Sequence, residues 1–332
     1  MASRTFIRDL KPAQLVEGVF FVQNLQLGQT KGGKPYIRCI LGDRTGKTPG
    51  RMWNATEELF RALPTDGFVY IEGQSQPYQG EMQIIIQVLR PAKPDATQLE
   101  DLLPRSERDP QEMFEELCRI TEWIEYAPLK ALVQTYLDDA ELMAMFKQAP
   151  AAMSLHHAYL GGLVEHTLSV MKLAELIVPL YPQLNRDVVL VGLFLHDLGK
   201  CIELTWRTGF GYSDDGQLVG HVARGVIMLE DKLRATESRG VKVPGAVARV
   251  LQHIILSHHG KAEFGALKVP STPEAIAVSH IDDLDAKLHM SLAATRGDAA
   301  AKSEELGGQF TEKIWALDTR LFRPDPTTLT DE

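Results

Sequence analysis

Between residues 18 and 88 the apolar side chains come in short runs rich in β-branched and aromatic residues, the pattern of strands with one face turned to a core. Five runs stand out: Gly18–Leu27, Pro35–Leu41, Gly50–Trp53, Gly67–Glu72 and Glu81–Val88. Turn-forming clusters lie between them at Gly28–Gly33, Gly42–Gly46 and the Gln79–Gly80 pair. The stretch Ala55–Ala62 reads as helix and falls just before the fourth run. From Gln111 onward the apolar spacing changes to three and four, through Met113–Ile124, Leu129–Met145 and Leu163–Leu180, which predicts amphipathic helices.

The change of period predicts a multidomain chain, an N-terminal all-β barrel followed by an all-α domain. Four prolines and dense charge over residues 92–110 and their flank disfavour any regular element there. We therefore expect a barrel over 1–91, a linker over 92–110, a helical domain over 111–322 and a flexible tail over 323–332. Five strands with a helix between the third and fourth resemble the OB barrel. Such a barrel holds single strands with a basic groove and aromatic faces on which bases stack. Lys34, Tyr36, Arg38, Arg51 and Trp53 are the candidates, because Tyr36 and Arg38 share a strand face, as do Arg51 and Trp53. The plainer alternative makes the aromatics core or rim residues and leaves the arginines solvated.

Composition narrows the setting. A chain of 332 residues, 44% of them hydrophobic, can fill two cores. No apolar run reaches the roughly 18–20 residues of a membrane span, and Met1–Leu10 is charged where a signal peptide would be apolar. A cytoplasmic location without membrane attachment is expected, and a homo-oligomer is left open. Cys39, Cys118 and Cys201 are widely spaced and form no CxxC pair, which argues against a disulfide framework or a thiolate zinc site. The net charge of −9 conceals an asymmetry: residues 1–92 carry 11 Lys and Arg against 8 Asp and Glu, the remainder 24 against 36. Only the first segment suits a polyanion.

The chemistry concentrates on histidine. Eight of the ten histidines fall between His156 and His259. In Val191–Lys200 an apolar helix ends on His196 and Asp197 side by side, followed by Gly199. Burying that carboxylate without a counter-charge is expensive, so a divalent cation is the expected partner. His166, His221, His258 and His259 lie beside other apolar faces, and Ala277–Ala286 inserts Asp282, Asp283 and Asp285 into an apolar helix. Mixed nitrogen and oxygen donors suit Mn²⁺ first, with Fe²⁺, Co²⁺, Zn²⁺ or Mg²⁺ as alternatives, rather than calcium. His157, His253, His280 and His289 read as packing or supporting histidines. Asp283 and Asp285 read as caps, as acceptors for ligand hydrogen bonds, or as solvated groups.

The order His166, His196-Asp197, Asp282 resembles the HD superfamily of metal-dependent phosphohydrolases over about residues 150–290, and His221 with His258-His259 is similar to its two-metal members. More narrowly, His156–His166, Gly209–His221, Leu256–Gly260 and His280–Ala286 resemble the YhaM-type bacterial 3′-5′ exoribonucleases, which also join an N-terminal OB domain to an HD domain. The resemblance implies two divalent metals, one among His166, His196 and Asp282, the other among His221, His258 and, as a further candidate, His259. Asp197 is then the bridging and catalytic carboxylate. Lys200 is read as neutralising the scissile phosphate, or alternatively as a helix C-terminal lysine complementing the dipole. Phe210 and Tyr212 are read as stacking a terminal base, with packing as the alternative.

The function expected on this basis is metal-dependent 3′-5′ exonucleolytic cleavage of single-stranded RNA, with single-stranded DNA a further substrate. Two alternatives differ in class. In one, the helical domain hydrolyses a nucleotide or cyclic dinucleotide and the barrel regulates; in the other, the chain is a non-catalytic single-strand-binding protein.

Overall fold

The chain is described here by a computed structural model covering residues 4–30, 32–65, 67–78, 81–153, 157–206, 209–296, 309–311 and 313–327. It separates into two compact units, Met1–Pro104 with Arg207–Phe210 and His289–Glu332, and Arg105–Trp206 with Gly211–Leu288. The described residues from His289 on, read from sequence as part of the helical domain and tail, thus group with the barrel unit. The Gln79–Gly80 turn lies outside the described residues. None of the described helices is long and apolar enough to cross a membrane.

The first unit is a closed five-stranded barrel. Its strands are β1 (Leu15–Gln29), β2 (Pro35–Asp43), β3 (Gly46–Trp53), β4 (Gly67–Tyr78) and β5 (Glu81–Pro91), paired in the order β1-β2-β3-β5-β4 and closed by β1 against β4. Helix α1 (Glu57–Ala62) sits between β3 and β4, capped by the Thr56 hydroxyl accepting from the Leu59 amide. This order, with only β3 and β5 parallel, is that of the OB barrel. The period-2 pattern explains the core: Ile37, Cys39 and Leu41 of β2 point inward to meet Val69, Ile71 and Ile84, while Tyr36 and Arg38 point outward.

Residues 92–110, expected to hold no regular element, contain helix α2 (Ala96–Leu102). Asp95 and Gln98 form a reciprocal capping box at its start, and the prolines flank the helix without interrupting it. Asp101 then ties α2 to the barrel by an ion pair to Arg44 at 3.0 Å and a carbonyl that accepts from the Arg44 amide.

The second unit is helical: α3 (Pro110–Thr121), α4 (Ala127–Leu137), α5 (Ala140–Gln148), α6 (Gly162–Ile177), α7 (Arg186–Leu195), α8 (Lys200–Glu203), α9 (Asp214–Leu218), α10 (Gly220–Ser238), α11 (Gly245–Ser257) and α12 (Pro273–Arg296), with α12 running on past Leu288. A two-stranded ribbon, β6 (Leu204–Thr205) with β7 (Gly211–Tyr212), follows α8. The periodic run Leu129–Met145 breaks in two because Asp139 caps α5, its side chain accepting from the Leu142 amide. Helix α7 is the axis of the unit, buried from Asp187 to Leu195. A Cβ on its Gly192 would press on Ile254 and Val278, so the glycine lets α11 and α12 close on the axis.

Candidate metal centre

Four helix ends and two mid-helix faces converge at the C-terminal end of α7. His166 projects from α6, His196 caps α7, Asp197 follows in the turn, and Lys200 opens α8. His221 lies at the start of α10, His258 caps α11 with His259 next to it, and Asp282 and Asp285 come from α12. Two glycines make the convergence possible. Gly161 caps α6 with a left-handed φ of 79°, and a Cβ on Gly199 would overlap the His221 carbonyl oxygen. The glycine after His196-Asp197 thus brings α10, and His221 with it, against the turn.

The side chains fall into two groups that share Asp197. Its Oδ2 lies 3.4 Å from His196 Nε2 and 3.8 Å from His166 Nε2, and Asp282 Oδ1 is 3.2 Å from His166 Nε2. Its Oδ1 lies 3.6 Å from both His221 Nε2 and His258 Nε2, with His259 completing that group. Every imidazole has its Nδ1 turned to an acceptor: His166 to Asp285 at 2.8 Å, His196 to the Leu193 carbonyl at 2.7 Å, His221 to Glu203 at 3.0 Å, His258 to the Ile255 carbonyl at 2.8 Å, and His259 to the Phe264 carbonyl at 2.7 Å. These partners assign a proton to each Nδ1 and turn each Nε2 inward, where it offers a lone pair unless it is itself protonated.

Inward lone pairs need a cation. His166 and His196 confront each other Nε2 to Nε2 at 3.2 Å, and His221 and His259 do so at 3.3 Å. Asp197 Oδ1 and His258 Nε2 are buried with no hydrogen-bond partner among the described residues. Leaving such groups unsatisfied costs about 1–3 kcal/mol each, and a buried polar cluster is kept only if something completes it. Divalent cations fit these donors: imidazole nitrogens and carboxylate oxygens already converged on a shared space, with a proton on His166 to be displaced on binding.

The same reading is reached by comparison with known proteins. Residues 163–287 match the HD domain family model. The 3′-5′ exoribonuclease YhaM of Geobacillus sp. (strain WCH70) is 34% identical over 308 residues, 92% of this chain and 91% of that protein. The 3′-5′ exoribonuclease YhaM of Listeria innocua is 32% identical over 319 residues, 95% of this chain and 96% of that protein. The chain belongs to the YhaM family. Among solved structures, the second OB-fold domain of replication protein A from Methanococcus maripaludis aligns with 28% of the chain and 98% of that domain, at 15% identity and a TM-score of 0.23.

In this YhaM-family chain the electrostatics follow from burial and partners. Burial disfavours charge on His166, but its bonds to Asp282 and Asp285 outweigh that and raise its pKa to about 10. A proton there relieves the confrontation with His196. In the other group burial and the neighbouring His258 and His221 push His259 down to about 3, and burial lowers His258 as well. Burial also works against charge on Asp197, yet Lys200 and His196 hold it well below the carboxylate range. Lys200 donates to Asp197 Oδ2 at 2.6 Å and is itself held charged by that carboxylate. Its side chain therefore belongs to the cluster and is not committed to a helix dipole.

Phe210 takes the packing role of its two readings. Its ring is 2% exposed and packs edge-on against Phe21 at 6.1 Å within the barrel unit, so it offers no face to a base. Gly209, with a Cβ position that would collide with Phe21, permits that seating. Tyr212 in the helical unit is 49% exposed. On the barrel, Tyr36 pairs with Trp53 and Arg38 with Arg51 across β2 and β3, and the two rings meet at 5.3 Å. Lys34 is exposed immediately before β2. Arg51 stacks over Tyr78 at 4.7 Å, and Arg38 donates to Gln26 at 2.9 Å. Tyr78 and Gln26 were missed from sequence; a tyrosine directly before a hairpin turn was the available signal. Glu203 was missed too, although a carboxylate beside Cys201 and Ile202 is as conspicuous as Asp197.

Proposed function

We propose that the chain is a metal-dependent 3′-5′ exoribonuclease that holds single-stranded RNA on the barrel face and cleaves phosphodiester bonds in the helical unit. The observation that carries this reading is the division of Asp197, one oxygen facing His166 and His196 and the other facing His221 and His258. One carboxylate shared by two donor groups is the arrangement of a two-cation phosphodiesterase site.

The ligands we propose are His166, His196, Asp197 and Asp282 for one cation, and Asp197, His221, His258 and His259 for the other. Mn²⁺ is the first choice for so nitrogen-rich a set. Such a centre supplies Lewis-acid polarisation of the scissile phosphoryl group and a water able to attack at neutral pH. The chain's own residues do the rest. Asp197 fixes the spacing of the two groups, and the buried carboxylates and imidazoles keep their orientation through the Nδ1 bonds. Lys200, already cationic beside Asp197, is placed to compensate charge on a non-bridging phosphate oxygen. Tyr212 offers an exposed ring for the terminal base. On the barrel, Tyr36 and Trp53 supply stacking faces while Lys34, Arg38 and Arg51 meet phosphates, which explains why the positive charge collects in that segment. We place this activity in the cytoplasm, where RNA substrates and reduced thiols coexist.

Purified chain and its Asp197→Ala variant, incubated with 5′-labelled single-stranded RNA and Mn²⁺, test the proposal. A ladder shortening from the 3′ end, absent with the variant, supports it. Intact RNA alongside hydrolysis of nucleotide esters would redirect the site to small substrates.

A further inference from the structure

Three of the five inward-facing imidazoles are held by backbone carbonyls of their own segment, Leu193, Ile255 and Phe264. Those supports come with the helix ends and no side-chain substitution removes them. The other two are held by carboxylates from a different element. Asp285 of α12 accepts from His166 of α6, and Glu203 of α8 accepts from His221 of α10. There is one such pair in each donor group.

Both carboxylates are themselves built in. Asp285 Oδ2 faces His157 Nε2 at 3.2 Å, and its Oδ1 accepts from the Ser169 hydroxyl. The Tyr159 hydroxyl meets His157 Nδ1 at 2.8 Å, extending the chain outward. Glu203 Oε1 accepts twice from His221, from Nδ1 and from the backbone amide, each at 3.0 Å. Its own carbonyl accepts from the Ser213 amide at 2.9 Å, and Gly216 approaches so closely that a Cβ would overlap that carbonyl. Both residues are buried, each 8% exposed.

We propose that Asp285 and Glu203 are positioning residues with divided duties, Asp285 setting the affinity of the cation held by His166 and Glu203 that of the cation held by His221. The assignment rests on the two-cation reading above. A carboxylate behind an imidazole fixes its tautomer and raises the donor strength of the far nitrogen, and losing it costs about 10–100-fold in metal affinity. Because the two carboxylates serve different groups, their effects separate.

Calorimetric titration of the metal-free chain with Mn²⁺ tests this. Glu203→Gln and Asp285→Asn keep the shape of each side chain, and circular dichroism with a metal-free melt establishes that each variant folds. Each substitution is expected to weaken one of two equivalents by about 10–100-fold and leave the other unchanged. In a His258→Ala background, where the second group is disabled, Asp285→Asn should still weaken the remaining equivalent and Glu203→Gln should not. Two equivalents indifferent to both substitutions, or Glu203→Gln weakening the remaining equivalent in that background, overturns the assignment while leaving the two-cation reading intact. Fewer than two equivalents in the unsubstituted chain overturns both.

Discussion

Asp197 Oδ1 and His258 Nε2 face each other 3.6 Å apart, both buried, and neither has a hydrogen-bond partner among the described residues. Two acceptors pointing into the same space are held there by the fold, against their own preference. In the metal-free chain His258 therefore contributes little stability through Nε2. We predict that His258→Leu lowers the metal-free stability by no more than about 0.5–1.5 kcal/mol, the contribution of the Nδ1 bond to the Ile255 carbonyl, since at Nε2 an unpaired polar atom gives way to an apolar one. The stabilisation conferred by Mn²⁺, about 2.7 kcal/mol per site at a hundredfold excess over Kd, should shrink in the variant. Melting with and without Mn²⁺ measures both quantities.

His166 predicts a pH dependence. Its folded pKa of about 10 lies above the ordinary 6.5, so its protonation stabilises the metal-free fold. That contribution is fully present below pH 6.5 and lost as pH rises through about 10. A cation replaces the proton, so Mn²⁺ affinity should rise with pH across the same window, with proton release on binding. Melts across that range, paired with titration in weak buffer, check the sign. Affinity that falls as pH rises would refute it.

Lys200 is buried 2.6 Å from Asp197 Oδ2. Lys200→Met removes the ammonium and leaves the carboxylate without its nearest counter-charge, which should cost about 3–5 kcal/mol in the metal-free chain. Mn²⁺ should recover much of that loss, because cations take over the neutralisation. Turnover should stay about 10²–10³-fold lower even at saturating Mn²⁺, if the ammonium also meets the phosphate. Full recovery of turnover would confine Lys200 to stability.

Tyr36 and Trp53 should behave as a unit. Alanine at either position is expected to cost about 1–3 kcal/mol of single-strand binding, and the double variant less than the sum because the rings touch. The effect should appear in KM for long RNA with little change in kcat. Arg38→Ala should instead lower the salt dependence of binding by about one unit of slope. Fluorescence anisotropy at several salt concentrations separates these outcomes.

Much of this was legible in the residues, and the failures have physical causes. Period-2 runs located the five barrel strands, because inward-facing Ile37, Cys39 and Leu41 must alternate with outward-facing residues, while the two-residue strands β6 and β7 are too short to show a period. Helix α2 escaped because four prolines looked prohibitive, whereas a proline outside a helix only bounds it and the Asp95–Gln98 box was the stronger local signal. The histidines at helix ends were visible as polar groups in apolar runs. Their division into two groups came only through the family resemblance, since local pattern does not tell which oxygen of Asp197 each one faces. For Phe210 the packing alternative holds and the stacking one does not, a choice that its partner far along the chain, Phe21, decides and local pattern cannot. Asp285 was open to three readings until the His166 Nδ1 it accepts from was located in space, and Glu203 went unread until the same was done for His221.

The central claim is that Asp197 joins two cation positions. Counting Mn²⁺ per chain by elemental analysis after equilibration at one fixed free Mn²⁺ concentration tests it most directly, on the unsubstituted chain, His258→Ala and Asp197→Ala. The account predicts two ions, one ion and a loss of both, respectively. Two ions retained by Asp197→Ala, or none bound by the unsubstituted chain, would contradict it.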